Sequence, residues 1–265
     1  MIVKEGQAEV LLGRLVRILN DQSFPAILID WIRASVDCDN VAVIAYFQDR
    51  NPAILKSYSD NPNVHAKLET EYVQAAYLLD PFHGLHVRKV PRGVHRLSDV
   101  APDHFQRNQY YINYYRETTL VDEIAYISYP AKGVSIQTCL GRDSSSNTRF
   151  TARELASARR IAPVVIALVE THWSDLNTSG RYLESEITHR LMDTVQAVHD
   201  VSLTPRQAEV AMYILRGHSS LSIGLNMNIS RQTVKVFRRQ LYKRLSISSQ
   251  AELFNLVLPL LAGGR

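Results

Sequence analysis

Six of the sixteen residues in SRQTVKVFRRQLYKRL, positions 230–245, are Lys or Arg, and none is Asp or Glu. Cations at this density bind polyanions. A solvated helix face is charged too, but it normally intersperses acids with bases. On a helical wheel, Val234, Phe237, Leu241 and Leu245 fall in one stripe, while Gln232, Lys235, Val236, Arg239 and Lys243 gather on the opposite side. The first set is expected to pack and the second to face outward. Arg231 and Arg238 lie on one flank, Thr233 and Arg244 on the other, placed to touch phosphates if the outer face enters a DNA major groove. In that pose Lys235 and Arg239 donate to guanine edges and Val236 meets a thymine methyl.

The charge distribution supports a polyanion partner. Of 30 basic and 26 acidic residues in the 265-residue chain, residues 201–265 carry 9 and 2, leaving 21 and 24 in residues 1–200. The tail is therefore +7 and the front −3, a localised excess that the net charge of +4 conceals.

The basic helix needs elements to present it. In LTPRQAEV, Thr204 is placed to cap a helix, Pro205 suits its first position and Gln207 completes a capping box, with Gly217 as the stop. LSIGLNMN supplies a second helix, and Ser230 caps the third after the Asn228-Ile229-Ser230 turn. Two helices across a short turn, the second basic, form a helix-turn-helix.

LTPRQAEV, Gly217, ISRQTVKVFRRQLYKRL and SSQAELF together resemble the four-helix DNA-binding domain of the LuxR family of bacterial transcription regulators, over about 60 residues. The resemblance implies that Lys235, Val236 and Arg239 enter the major groove. It also implies that a fourth helix, Gln250 to Leu261, pairs with a second protomer through residues such as Leu253 and Val257. Double-stranded DNA and a second copy of the chain are the expected partners, and RNA polymerase is a further candidate. The sequence departs from the family pattern at Gln207 (usually Glu), Gly224, Phe237 (commonly His) and His218-Ser219-Ser220-Leu221.

The front of the chain reads as an α+β domain. EGQAEVLLGRLVRILN and SFPAILIDWIRASV have helical spacing; NVAVIAYF and AILKSYS read as strands around an Asn/Asp/Pro turn. Residues 63–79 look helical up to Asp80-Pro81, an irregular stretch runs to about Val100, and DHFQRNQYYINYYRETT reads as a tyrosine-rich helix. VDEIAYISYP and GVSIQTCLGR form a second strand pair, and Thr151 to His172 a long helix. This order predicts an antiparallel sheet covered by helices, PAS- or GAF-like, as a sensor over 1–176. SDLNTSGR and a helix from Tyr182 to His199 make a connector over 177–200, and the all-α helix-turn-helix domain occupies 201–265.

Tyr72, Asp80 and Pro81 are similar to the tyrosine and Asp-Pro of lactone-binding LuxR-type sensors, but Trp31 and Trp173 stand far from that segment, so a lactone is disfavoured. Tyr110 pairs with Tyr114 and Tyr111 with Tyr115 on helical faces, so one pair, here Tyr111 and Tyr115, can line a pocket for a small amphipathic or cationic effector. Tyrosines packing a helix onto the sheet, and Asp80 as a plain turn residue, are the structural alternatives. A front domain that binds a protein partner or only dimerises is the alternative function.

Enzyme chemistry finds no residues. GxSxG, HExxH, GxxxxGK[ST] and GxGxxG are absent, and His83 and His86 lack an acidic or cysteine companion at ligand spacing, so no metal and no cofactor is expected. The βα alternation of a phosphoacceptor domain is missing as well. Cys38 and Cys139 stand a hundred residues apart with no disulfide framework, MIVKEGQAEV has no signal pattern, and no apolar run approaches about 20 residues. A cytoplasmic chain without membrane partners is expected.

Overall fold

The computed structural model describes residues 6–178 and 183–262. Helices α1 (Gln7–Arg17) and α2 (Phe24–Ser35) come first, followed by strands β1 (Asn40–Phe47) and β2 (Ala53–Ser59). Short elements follow: α3 (His83–Arg88), β3 (Gly93–Arg96), α4 (Leu97–Val100) and α5 (Gln109–Asn113). Then come β4 (Leu120–Ala131), β5 (Val134–Asp143) and the long α6 (Ala152–His172). The remaining helices are α7 (Leu183–His199), α8 (Pro205–Leu215), α9 (Ser220–Met227), α10 (Arg231–Arg244) and α11 (Gln250–Ala262). From the expected connector, residues 179–182 lie outside the described residues.

The sheet is antiparallel with strand order β2-β1-β5-β4-β3, and its two faces separate the front domain into two cores. Strand periodicity makes that division. Val41, Val43, Ala45, Ile124, Tyr126, Ile136 and Leu140 pack under α2 and α6. Ala42, Ile44, Tyr46, Ala125, Ile127 and Cys139 point the other way, toward Leu68, Tyr72, Phe82, Tyr110 and Tyr114. A capping box on Thr151 and Glu154 starts α6. At its root Arg142 bonds Asp37, Asp39 and Glu154 at 3.0, 3.0 and 2.6 Å, joining β5 to the α2–β1 loop and to α6.

Three expectations are corrected here. Residues 63–79 form no continuous helix but a π turn at Leu68–Tyr72 and a 3-10 turn at Ala76–Leu79. The tyrosine-rich helix is broken into Phe105–Arg107, α5 and Tyr115–Thr118, because Tyr114 leaves helical geometry at φ −127° and ψ −65°. The stretch read as irregular contains the edge strand β3, four residues whose alternation is too brief to register as a pattern.

The C-terminal domain forms as its capping signals predict. The Thr204 hydroxyl accepts from the Gln207 N–H, and the Gln207 side chain accepts from the Thr204 N–H in return. Gly217 ends α8 at φ +84°, which glycine adopts without strain. Leu253 and Val257 are 0% and 1% exposed, packed within the protomer as α11 lies against α7 and α8. They are therefore not the dimer-facing residues that the family resemblance implied. A domain of about 60 residues needs its large apolar side chains to close its own core.

Candidate functional site

The α9–α10 unit is built so that one face of α10 is anchored and the other is open. Ser219 caps α9, Asn228 ends it in the left-handed conformation at φ 53°, and the Ser230 hydroxyl accepts the Thr233 N–H at 3.0 Å to start α10. Val234 and Leu241 are fully buried and Leu245 nearly so, with Phe237 partly covered against the same core. Lys235, Arg239, Gln232, Arg231 and Lys243 are exposed, and Val236 is half-buried among them. The described salt bridges involve no residue of α10, so Lys235 and Arg239 project without an acidic partner there.

The flanks differ from the centre of the face. Arg238 lies along its own helix, its Nε donating to the Tyr242 hydroxyl at 3.2 Å and its guanidinium 5.3 Å from that ring. Arg244 turns back, donating to the Ser202 carbonyl at 2.6 Å and to Gln207 at 3.4 Å. The Thr233 hydroxyl is occupied by Ser230 at 2.8 Å. Gln207, buried and bonded to Gln240 as well, fastens the start of α8 to α10.

The second site is a cavity of about 50 Å³ in the front domain, between the sheet and the broken tyrosine-rich segment. Tyr72, Asp80, Tyr110, Tyr114, Tyr115, Glu123 and Cys139 are among its walls. Sequence reasoning placed Tyr72, Asp80 and Tyr115 there. It named Tyr111, which instead stacks outside the cavity on Tyr115, ring centroids 5.6 Å apart, and it missed Tyr110, Tyr114 and Glu123. The i, i+4 stacking survives the break at Tyr114, with Tyr110 on Tyr114 as well as Tyr111 on Tyr115, but of the second pair Tyr115 alone lines the cavity. Glu123 had a signal: it alternates with Ala125 and Ile127 on the cavity side of β4, a carboxylate among apolar neighbours.

Hydrogen bonds hold the cavity wall. Asp80 accepts the Phe82 N–H at 2.8 Å, forming a turn, and the Tyr72 hydroxyl at 2.5 Å, while Tyr72 also bonds Tyr46. Asp80 is thus both a turn residue and a cavity residue. Burial raises the Asp80 carboxyl to about 6, opposed by those two donors. Burial raises Glu123 to about 8, with the negative charge of Asp80 adding to the effect. Both residues keep some exposed surface, and both face the cavity. His83 and His86 are core residues, 3% and 6% exposed, with His86 Nδ1 2.7 Å from the Ser135 hydroxyl. Among the described residues no cluster could hold a metal ion, and no helix is long and apolar enough to cross a membrane.

Glu123 makes stability depend on pH. Its folded-state value lies above the ordinary 4.5, so the folded protein binds this proton more tightly than the unfolded chain does. That contribution is full below about 4.5 and is lost as pH rises through about 8. The thermal midpoint of the unliganded protein is expected to fall across this window. Glu123→Gln should flatten the fall, and an unaltered slope in that variant would show that Glu123 is not the group responsible.

The two sites are mechanically adjacent. Arg216 at the end of α8 donates from Nε to the Leu78 carbonyl at 2.8 Å, two residues before Asp80. Gly217 packs so closely on the front domain that a Cβ there would stand 2.7 Å from Asn108 Nδ2. Asp80 lines both the cavity and the cleft in which Tyr213, Arg216 and His218 face Pro81 and Arg88.

Residues 201–257 match the family model described as bacterial regulatory proteins, luxR family. Over 184 residues the chain is 27% identical to a protein of Aeromonas salmonicida named as an HTH-type transcriptional regulator in the exeN 3′ region, covering 68% of this chain and 93% of that one. The VqsR LBD domain from Pseudomonas aeruginosa aligns with a TM-score of 0.54 and 25% identity, over 65% of this chain and 99% of that chain. Escherichia coli SdiA aligns over 96% of this chain and 97% of its own, at 13% identity and a TM-score of 0.39.

Proposed function

Given that the chain is a LuxR-family transcription regulator whose front domain is built like a ligand-binding one, we propose that it binds duplex DNA as a homodimer under the control of a small molecule held in the front cavity. Residues 1–176 sense, 177–200 connect and 201–265 bind DNA. The observation that carries the DNA reading is the open face of α10, where Lys235 and Arg239 project from a helix anchored by Val234 and Leu241. Lys235 and Arg239 read guanine edges, Val236 a thymine methyl, and Gln232 a neighbouring base. Arg231, Thr233, Arg238, Lys243 and Arg244 set the helix against phosphates. A dimer is needed because one recognition helix reads too few base pairs for useful specificity; two reach half-sites about 34 Å apart or a multiple of that.

Control is supported by the bond from Arg216 to the Leu78 carbonyl. A molecule that rearranges the Ala76–Asp80 segment disturbs the contact that seats the DNA-binding domain. It shifts the population of domain arrangements in proportion to its differential affinity for them. The DNA reading is tested by fluorescence anisotropy with a duplex selected from a random pool. Affinity is expected to fall with salt at a log–log slope near −0.9 per phosphate contact, and a slope near zero would reject it.

A further inference from the structure

The front cavity has the charge of a cation site. Two carboxylates, Asp80 and Glu123, face it, and no Lys or Arg is among its lining residues. Its one basic side chain, His65, is pulled down to about 4 by burial and is neutral at physiological pH. Among the described residues neither carboxylate has an ion pair, in contrast to Asp37 and Asp39, which share Arg142. Buried carboxylates without a counter-charge are held at a cost that a bound cation removes.

Two independent features point to a ligand. Tyr115 is 5% exposed, and its hydroxyl, at the cavity wall with Glu123 as its neighbour, is a buried polar atom that closes no hydrogen bond within the protein. Tyr72, Tyr110 and Tyr114 surround the same space with aromatic rings, Tyr72 and Tyr114 5.8 Å apart and Tyr110 and Tyr114 5.5 Å apart between centroids. Aromatic faces stabilise a cation most strongly where water is excluded.

We propose that the effector enters this cavity through a protonated amine, held by Asp80 and Glu123 and walled by Tyr72, Tyr110 and Tyr114. This rests on the reading of the front domain as a small-molecule sensor and adds the chemical class of the molecule. An ammonium donates to both carboxylates and leaves Tyr115 free to donate to Glu123. Specificity follows from charge: an alcohol of the same length would leave the Asp80 carboxylate uncompensated and could not draw the proton from Glu123.

Binding has a proton signature. The ionisable groups around the two carboxylates are Tyr46 from β1, Tyr72, the three tyrosines 110, 114 and 115, Cys139 from β5 and His65, with Asp122 acting from the opposite face of β4, where it accepts the Phe150 N–H. Burial holds the five tyrosines and Cys139 well above neutrality in their protonated forms. Asp80 and Glu123 titrate near neutral pH, at about 6 and about 8. A cation beside Glu123 favours its carboxylate, so binding at about pH 7 releases a proton to the buffer.

The test is isothermal titration calorimetry of the full chain with 1,4-diaminobutane and butylamine, each against its uncharged counterpart, 1,4-butanediol and 1-butanol. The amines are expected to bind at least about tenfold more tightly than the alcohols, with heat that varies with buffer ionisation enthalpy. Glu123→Gln and Asp80→Asn should each weaken the amines by about tenfold and leave the alcohols unchanged. Circular dichroism verifies the fold of both variants, and Glu123→Gln mimics the neutral form already favoured in the empty cavity. Alcohols binding as well as amines, or amines failing to bind up to about 10 mM, overturns the proposal. Native mass spectrometry of protein from its own cells separates the two failures. An uncharged adduct overturns the cation alone, whereas no adduct, together with unchanged DNA binding by the Asp80 and Glu123 variants, overturns small-molecule control too.

Discussion

Replacing Lys235 and Arg239 together by alanine is expected to abolish sequence-specific DNA binding while leaving the fold intact. Each bidentate base contact is worth about 1–3 kcal/mol of discrimination, so the pair together contribute about 2–6 kcal/mol, or roughly 30- to 10⁴-fold in affinity for the selected site. The fold survives because both side chains are exposed and outside the core formed by Val234, Leu241 and Leu245. Arg239→Ala alone should relax base preference at one position, whereas Arg238→Ala should weaken all sequences alike. Arg238 is pinned along the helix by Tyr242, which suits a residue that sets position rather than reads bases. Anisotropy titrations against the selected duplex and a scrambled one distinguish these effects. Unchanged specific binding by the double variant would exclude this face of α10.

Arg142→Ala is expected to destabilise the front domain by about 3 kcal/mol, because removing one member of a buried ion network leaves the others charged and unpaired. The Arg142 side chain is 5% exposed, and Asp39 and Glu154 are 14% and 18% exposed. Asp37 is 78% exposed, so Asp37→Ala should cost less than about 1 kcal/mol. The arginine is specific, since its planar fork reaches three carboxylates on two segments and lysine carries one point charge. Urea denaturation of both variants measures the contrast. Equal losses in the two would show that the network acts as surface charge.

The C-terminal domain was legible because its signals are local. Thr204 with Gln207, Ser230 with Thr233, Gly217 after α8 and the stripe of Val234, Phe237, Leu241 and Leu245 each lie within a few residues, and capping and helical periodicity act over that range. The same periodicity misled in the front domain. Applied to residues 109–118 it assumed one unbroken helix and put Tyr111 in the pocket with Tyr115, whereas the chain breaks at Tyr114, Tyr110, Tyr114 and Tyr115 line the cavity, and Tyr111 stacks on Tyr115 outside it.

By itself, then, the sequence determined the α+β front and the helical tail, the helix-turn-helix with its outward Lys235 and Arg239, and the capped ends that hold it. Caps, wheels and charge runs report interactions between residues close in the chain. Only the tertiary structure decided that Glu123 and Asp80 share one cavity, that Leu253 and Val257 belong to the protomer's own core, and that Arg216 reaches the Leu78 carbonyl. Each of those joins segments tens of residues apart, and the bond from Arg216 spans 138 positions. Their energies arise from burial and from hydrogen bonds closed in three dimensions, to which no local pattern in the sequence corresponds.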